Sequence, residues 1–427
     1  VTWNGVDMDW TEPDSDSWSG STYTSGDHAR FTGSGTGAVN VQVGGVTPAT
    51  TTVTSGAYTF TGGPIAGTLA NSGTLTLNSA NTFSAVTASG GTLNLGHDAA
   101  AGSAVIAFTA ATTLNLTTTG SGNYGNNLTT NGTGTITISA RNNLGTNTHT
   151  LGTLSIGGNA TFDVNGATWD GLSTWVLGPI SETGGSRSLT KISSERPQAS
   201  TLILSGAGTF TGDTRVTGGT LKLNHDLAIQ NSAFDTSGGG TFDLTSVNTP
   251  TFGGLKGGTN LVLPGAMTSL TLNPGLAASH EYTGSLSGGS ASLQLTKTGA
   301  GTQILSGANS YGGATNLNAG VLQANHASAL GSGGNIVLTG GTLQYSAASA
   351  GQDWSARFKN SASSISLDTN GQTIALGAID ATNTGGLTKL GNGTLVLAGA
   401  NSYTGATSIQ GGTVVLSGSL ASGSAVS

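Results

Sequence analysis

The densest group of charged side chains in the sequence is the acidic segment DMDWTEPDSD near the N-terminus. Its carboxylates are Asp7, Asp9, Glu12, Asp14 and Asp16. Hard carboxylate oxygens at this density could bind calcium. The segment lacks the glycine and the terminal glutamate of an EF-hand loop, which favours a solvated acidic loop. We keep calcium as the alternative interpretation and predict no other cofactor.

Three histidines follow glycine-rich strand segments at equivalent places, in LGHDAAAGSA, LNHDLAIQNSA and ANHASALGSGG. They are His97, His225 and His326. With Asp98 and Asp226 they offer the residue types of a metal site. Each copy supplies a single histidine, however, and neighbouring copies lie many residues apart. We therefore predict that each histidine closes a turn by hydrogen bonding.

No familiar catalytic motif is present. The sequence has no G-x-S-x-G nucleophile elbow, no P-loop and no H-E-x-x-H segment. One mixed charged stretch, residues 181–198, contains Glu182, Arg187, Lys191, Glu195 and Arg196. We interpret it as a protruding loop whose charges neutralise one another. The sequence thus predicts a non-enzymatic protein without catalytic residues, and a polysaccharide-degrading enzyme is an alternative that an activity screen would decide.

Two tryptophans, Trp169 and Trp175, lie close together in ATWDGLSTWVLG. Amphipathic aromatic rings are common contacts at binding surfaces. Large aromatic side chains are nevertheless more often buried. Core packing is therefore the favoured interpretation, and contact with a glycan is the alternative.

The composition excludes several classes of partner. The chain has 427 residues, a net charge of -7 and 12 Lys and Arg residues that form no basic patch, so nucleic acid is not expected as a partner. No apolar run is long enough to predict membrane insertion by this chain. Cysteine is absent, which is compatible with export and excludes disulfides.

Four segments of the chain align almost without gaps. They are GTLTLNSANTFSAVTASGGTLNLG (73–96), STLILSGAGTFTGDTRVTGGTLKLN (200–224), GTQILSGANSYGGATNLNAGVLQAN (301–325) and GTLVLAGANSYTGATSIQGGTVVLS (393–417). Each contains short β-type runs separated by glycine-rich corners. Equivalent strands in one segment are 19 residues apart, as from Leu395 to Val414. This spacing predicts successive coils of a parallel β-solenoid, an elongated all-β rod with an apolar inner face.

Two further features recur in these segments. An LTK tripeptide precedes three of them, and its lysines are predicted to be solvated charges on the outer face: Lys191, Lys297 and Lys389. An aromatic residue occupies the same corner in all four copies and is predicted to pack there. These residues are Phe83, Phe210, Tyr311 and Tyr403.

The combined pattern LTKxGxGTLxLxGxNxYTGxTxxxGGTLxL resembles the autotransporter-associated β-strand repeat, also called the passenger-associated transport repeat. The match is tight at 387–416 and 295–322, good at 189–223 and partial at 73–95. The resemblance implies a right-handed parallel β-helix, export across bacterial membranes, and an extracellular or cell-surface location. The sequence ends in SGSLASGSAVS without the barrel strands of a full autotransporter. We therefore expect either that a barrel has been removed or that delivery follows another route.

The two ends of the sequence suggest self-association. We predict a Trp-rich cap or docking segment over residues 1–45 and a β-solenoid over 46–427. Residues 390–427 contain no charged residue, and an uncharged strand edge invites pairing. Contact between unlike ends propagates as a filament. The residues predicted to make this head-to-tail contact are Trp3, Trp10, Trp18, Val414, Val415 and Leu416.

These features together predict an extracellular structural protein that forms the subunit of a self-associating surface filament. The alternative is a passenger-type adhesin that binds carbohydrate or matrix.

Overall fold

The computed structural model describes residues 1–5, 9–14, 17–19, 22–33, 36–118, 120–131, 134–140, 147–165, 173–194, 200–422 and 424–427. Within these ranges the chain forms 44 β-strands and one short 3-10 helix, Ser355–Arg357. Nearly all strand pairs are parallel, and the strands stack as a β-solenoid of about 17 turns. The predicted all-β solenoid is therefore confirmed.

The strands in chain order are β1 (Thr2–Trp3), β2 (Asp9–Trp10), β3 (Trp18–Ser19), β4 (His28–Thr32), β5 (Gly37–Val41), β6 (Thr50–Ser55), β7 (Ala57–Gly62), β8 (Thr68–Asn71), β9 (Thr74–Leu77), β10 (Ala85–Ala88), β11 (Thr92–Leu95), β12 (Ile106–Phe108), β13 (Thr112–Leu116), β14 (Gly122–Asn123), β15 (Leu128–Thr130), β16 (Gly134–Ala140), β17 (Asn147–Thr150), β18 (Leu154–Ile156), β19 (Ala160–Asn165), β20 (Ser173–Leu177), β21 (Ile180–Glu182) and β22 (Leu189–Ile192). They continue as β23 (Ser200–Leu204), β24 (Thr214–Val216), β25 (Thr220–Leu223), β26 (Ile229–Asp235), β27 (Thr241–Asp243), β28 (Thr251–Lys256), β29 (Leu261–Leu263), β30 (Ser269–Leu272), β31 (Ser279–Tyr282), β32 (Leu286–Gly288), β33 (Gln294–Lys297), β34 (Thr302–Leu305), β35 (Thr315–Leu317), β36 (Val321–Ala324), β37 (Ile336–Leu338), β38 (Thr342–Gln344), β39 (Ile365–Asp368), β40 (Thr373–Leu376), β41 (Leu387–Leu390), β42 (Thr394–Leu397), β43 (Thr407–Ile409) and β44 (Thr413–Leu416).

The inner face is a set of apolar columns, because the side chains of a strand alternate between its two faces. In β9, β11 and β13, Leu75 is in register with Leu93, and Leu93 with Leu114. All three are completely buried. The threonines beside them, Thr74 and Thr92, are partly exposed. A single coil cannot bury its apolar side chains, so stacking of successive coils creates the core.

The chain divides into two compact units. The first comprises Val1–Ala228 with Gly238–Asp243, and the second comprises Ile229–Ser237 with Leu244–Ser427. The described part of the first unit contains the ladder β21-β18-β15-β12-β10-β8-β6-β4-β1-β3 and the ladder β14-β17-β20-β23-β25-β27. That of the second contains β31-β34-β36-β38-β39-β41-β43 and β40-β42-β44. Neither unit contains, among its described residues, a helix long and apolar enough to cross a membrane.

The N-terminal segment departs from the parallel pattern. Strand β1 pairs in parallel with β4 but antiparallel with β3, so that Trp3 lies opposite Trp18. The rings of Trp3 and Trp18 pack edge to face at 5.3 Å, and Trp10 lies 5.4 Å from Trp18. Phe31 contacts all three tryptophans. This buried aromatic cluster lies on the inner face beside two parallel strand pairs. Those pairs are β4 with β6 and β5 with β7.

Candidate functional site

The lysine of the last LTK segment lies on the inner face of its strand. Leu387 and Lys389 are both completely buried, and Thr388 between them points outward. Lys389 Nζ donates hydrogen bonds to the backbone carbonyl oxygens of Leu390 at 2.7 Å, Gly391 at 2.8 Å and Gly411 at 3.1 Å. The ammonium therefore ties its own corner to the corner of the following coil.

Lys297 repeats this arrangement in the preceding copy. Its Nζ donates to the carbonyl oxygens of Thr298 at 2.5 Å, Gly299 at 2.8 Å and Ala319 at 3.1 Å. The side chain is only 1% exposed. The acceptors stand one, two and 22 residues after the lysine, as they do around Lys389.

Lys191 makes a modified version of the same contact. Its Nζ donates to the carbonyl oxygens of Ile192 at 3.1 Å and Gly218 at 2.9 Å, and to Ser200 Oγ at 3.0 Å. A hydroxyl thus replaces one carbonyl. The Ser200 hydroxyl donates in turn to Ser193 Oγ at 3.2 Å.

The prediction that these three lysines are solvated charges on the outer face is wrong. Burial lowers the pKa of Lys191 and of Lys297 to about 8, and the charge of Asp163 partly opposes this effect on Lys191. Burial also lowers the pKa of Lys389. A buried ammonium needs hydrogen-bond acceptors to replace water. The backbone carbonyl groups of the corner are these acceptors.

The first copy achieves the same contact without a lysine. Asn71 ends β8, is completely buried, and donates from Nδ2 to the carbonyl oxygens of Gly73 at 3.2 Å and Thr92 at 3.3 Å. These acceptors lie two and 21 residues later in the chain. The junction therefore requires a buried donor, which an amide or an ammonium can provide. We call the contacts of Asn71, Lys191, Lys297 and Lys389 the donor caps.

A second set of buried amides links three coils. Asn309 Oδ1 accepts from the backbone N–H of Leu286 at 2.8 Å, and its Nδ2 donates to the carbonyl of Ala329 at 2.6 Å. Asn401 accepts in the same way from Ile379 at 3.0 Å. Asn81 accepts from the N–H of Ile65 at 2.8 Å and donates to the carbonyl of Ala100, also at 2.8 Å. Each asparagine thus joins the coil before it to the coil after it. We call these three residues the asparagine clamps.

The repeated aromatic residues pack as predicted. Phe83, Phe210, Tyr311 and Tyr403 are all buried at the corners. The Tyr311 hydroxyl lies 2.7 Å from Thr315 Oγ1, and the Tyr403 hydroxyl lies 2.6 Å from Thr407 Oγ1. Burial raises the pKa of Tyr311 to about 12 and also raises the pKa of Tyr403. Each hydroxyl therefore stays protonated at neutral pH and has a hydrogen-bond partner in the core.

The repeated histidines close turns, as predicted. His97 Nδ1 accepts from the backbone N–H two residues later at 3.0 Å. His225 and His326 make the equivalent contact at 3.1 and 3.0 Å. Within the described residues no group of three or more His, Cys, Asp or Glu side chains is arranged to hold a metal ion.

The acidic segment is only partly described, since Asp7 and Asp16 lie outside the described residues. The other three carboxylates accept hydrogen bonds from different donors. Asp9 accepts from Asn40 Nδ2 at 2.9 Å and Glu12 from the N–H of Thr47 at 2.8 Å. Asp14 is buried and accepts from Trp18 Nε1 at 3.1 Å. These contacts fasten the N-terminal cluster, and calcium binding by the segment stays a prediction.

The mixed charged stretch holds itself together where it is described. Glu182 accepts from the backbone N–H of Arg187 at 2.7 Å and from Thr211 Oγ1 at 2.7 Å. The Arg187 guanidinium donates to the carbonyl of Gly184 at 3.0 Å. Glu195 and Arg196 lie outside the described residues.

The residues predicted to bind glycan or a second copy differ in their accessibility. Trp175 is completely buried against His149, and Trp169 lies outside the described residues.

Trp3, Trp10 and Trp18 are 1%, 0% and 4% exposed, so their rings form the core of the N-terminal segment and offer no contact surface. At the other end, Val414 is partly exposed, and Val415 and Leu416 are 43% and 48% exposed.

Replacing Lys389 with alanine tests the donor caps. The substitution removes the ammonium donor from the carbonyl oxygens of Leu390, Gly391 and Gly411, of which Leu390 alone keeps a second donor, the N–H of Thr369. We expect the local free energy of unfolding to fall by about 1–3 kcal/mol. Hydrogen exchange of the β41 and β43 amides is the suitable measurement, because a stacked array need not unfold in a single step. Lys222→Ala is the matched control: this lysine forms a partly exposed ion pair with Asp243 and should change stability by less than about 1 kcal/mol. Equal effects of the two substitutions would contradict the assignment.

Comparison with known proteins agrees with this repeat structure. The family model for the passenger-associated-transport-repeat matches residues 68–95, 199–223, 295–324 and 387–416. The adhesin BmaC autotransporter of Brucella suis biovar 1 (strain 1330) is 32% identical in an alignment of length 310 that covers 63% of this chain and 8% of that protein. No solved structure matches the chain. The resemblance drawn from the sequence is therefore confirmed: the chain contains four segments that match the passenger-associated transport repeat.

Proposed function

We propose that the chain is a non-enzymatic part of an autotransporter-type adhesin, located outside the cell at the bacterial surface. The observation that carries the proposal is the use of the repeated polar side chains. The donor-cap lysines and the asparagine clamps hold coils together, and the turn histidines close turns within a coil. Such a molecule is a scaffold whose outer surface does the binding. The chain corresponds to 8% of the length of its adhesin relative, so it would supply one segment of a long surface protein.

The outer face supports binding through uncharged hydrogen bonds. Asn94 and Thr76 are partly exposed, and Asn94 donates from Nδ2 to Thr76 Oγ1 at 2.9 Å. Asn115, which is buried, supports them by donating from Nδ2 to Asn94 Oδ1 at 2.7 Å. This ladder runs across β9, β11 and β13. In the second unit Asn316 donates to Gln294 Oε1 at 3.0 Å. Rows of hydroxyl and amide groups fit ligands that are themselves rich in hydroxyls and amides, which are the chemistry of carbohydrates and of matrix proteins.

Binding of the purified chain to glycan arrays and to immobilised matrix proteins tests this proposal. We expect saturable binding to at least one ligand class, with weak dependence on salt because few charges face the solvent. Heat-unfolded chain serves as the control, since the ladders exist only in the stacked fold. Failure of the folded chain to bind any ligand, or shortening of uronic-acid polymers by the chain, would contradict a non-enzymatic adhesin.

Head-to-tail assembly is a second candidate function, supported by the exposed apolar strand β44. It pairs with β42 on one side, and Val415 and Leu416 are about half exposed. Because the N-terminal tryptophans are buried, the proposed contact uses the backbone edge of β44 and the residues around the aromatic cluster of the next molecule. Unlike surfaces joined in this way extend into a filament.

Electron microscopy of Val415→Lys tests the assembly. A charge on the apolar strand should abolish filaments that wild-type protein forms, and deletion of residues 1–18 should do the same from the other end. Val262→Lys is the matched control, because Val262 is a 72% exposed valine outside β44. Wild-type protein that sediments as a monomer at high concentration, or filaments that persist in Val415→Lys, would refute head-to-tail assembly.

A further inference from the structure

One buried histidine has no structural role in the repeats. His149 lies in β17 of the first unit, in register with Gly122 of β14 and Trp175 of β20. It is completely buried, and among the described residues neither ring nitrogen has a hydrogen-bond partner. Within the same part of the chain the Trp175 indole N–H also has none. The imidazole therefore sits among apolar and aromatic groups on the inner face.

The ring is enclosed mainly by aromatic side chains. Its centroid lies 4.9 Å from that of Trp175 and 6.3 Å from that of Tyr124. The Tyr124 hydroxyl is satisfied, because it donates to the carbonyl of Leu95 at 3.2 Å. Asp98, in the turn after β11, accepts from the N–H of Asn123 at 3.3 Å. Among the described residues, Asp98 is the charged group that acts on His149, and Tyr124 is a titratable ring beside it.

The environment opposes a positive charge on this ring. Burial lowers the pKa of His149, and the negative charge of Asp98 only partly offsets the effect. A protonated imidazole carries two N–H donors, and neither has an acceptor here. A charge without acceptors in the core is unfavourable, so proton uptake favours states in which the ring reaches water.

We propose that His149 is an acid-triggered switch, whose protonation opens the coils containing β14, β17 and β20. The sign follows from proton linkage. The unfolded state binds a proton at a higher pH than the folded state, so stability is complete above about pH 6.5 and is lost as the pH falls through the lower folded value. Each coil of a solenoid contacts only its neighbours. Opening is therefore local, and exposes the inner face at this position while distant coils stay folded.

Hydrogen exchange at about pH 7.5 and about pH 5, corrected for the intrinsic exchange rate, tests the switch. Peptides covering β17 and β20 should lose protection in acid, by up to about tenfold per pH unit between about pH 6.5 and the lower folded pKa of His149. Peptides covering β36 and β38 in the second unit should keep theirs. His149→Phe keeps an aromatic ring but cannot titrate, and should remove the acid response. His28→Phe alters an exposed histidine and should leave the response intact.

A second measurement applies even where His149→Phe does not fold. In wild-type protein with 13C-labelled histidine, the His149 ring should titrate below about 6.5, the unperturbed value. Loss of protection at β17 should begin near about pH 6.5 and level off once the folded ring has titrated. The proposal is overturned if His149 titrates at or above the unperturbed value, if wild-type protein keeps full protection in acid, or if a folded His149→Phe variant loses protection as wild type does.

Discussion

Each coil of a parallel β-solenoid depends on the coils on either side for its backbone hydrogen bonds. Along the strands this need is met automatically, since in-register pairing satisfies every N–H and C=O. At the corners the chain turns, and carbonyl groups point inward without a strand to pair with. Gly391 and Gly411 are such carbonyls, and the ammonium of Lys389 binds both. It also binds the carbonyl of Leu390, which accepts in addition from the N–H of Thr369 at 3.4 Å. Each repeat therefore supplies a corner of this kind together with a donor for its carbonyl groups.

The comparison between copies shows that the requirement is for a donor and not for a charge. Lys297 and Lys389 have carbonyl acceptors alone, Lys191 exchanges one of them for a serine hydroxyl, and Asn71 supplies an amide. An amide carries no charge and avoids the desolvation that lowers the lysine pKa values. The longer lysine reaches across the longer glycine corner, whereas asparagine suffices where the corner is two residues shorter. Corner length and donor type therefore vary together.

The fold could be predicted from the sequence because its signals are local and repeated. Alternating Leu and Thr define the two faces, and a 19-residue spacing between equivalent strands defines the coil. The same alternation also predicts that the lysine points inward. In Leu387-Thr388-Lys389 the outward threonine places both of its neighbours inward. Lysine side chains are usually solvated, and the prediction of an outer-face lysine followed that tendency. The corner carbonyls that stabilise a buried ammonium can be identified only from the structure.

The asparagine clamps and His149 illustrate what sequence reasoning could not provide. Asn309 stands in a glycine- and serine-rich corner, where asparagine is also common as a simple turn residue. Only the stacking of coils shows that its two amide atoms contact the preceding and the following coil. His149 belongs to none of the four repeats, and its isolation in the core results from a register with Gly122 and Trp175 that composition does not reveal.

The central claim is that buried ammonium groups bind the corner carbonyls of successive coils. Nuclear magnetic resonance of 15N-labelled lysine side chains at neutral pH measures this directly, because an ammonium held by three acceptors exchanges its protons slowly. The account predicts a slowly exchanging ammonium signal for Lys389, correlated with the carbonyl carbons of Gly391 and Gly411 and lost in Lys389→Ala. An Nζ of Lys389 that exchanges as fast as free lysine, with no correlation to those carbonyls, would contradict it.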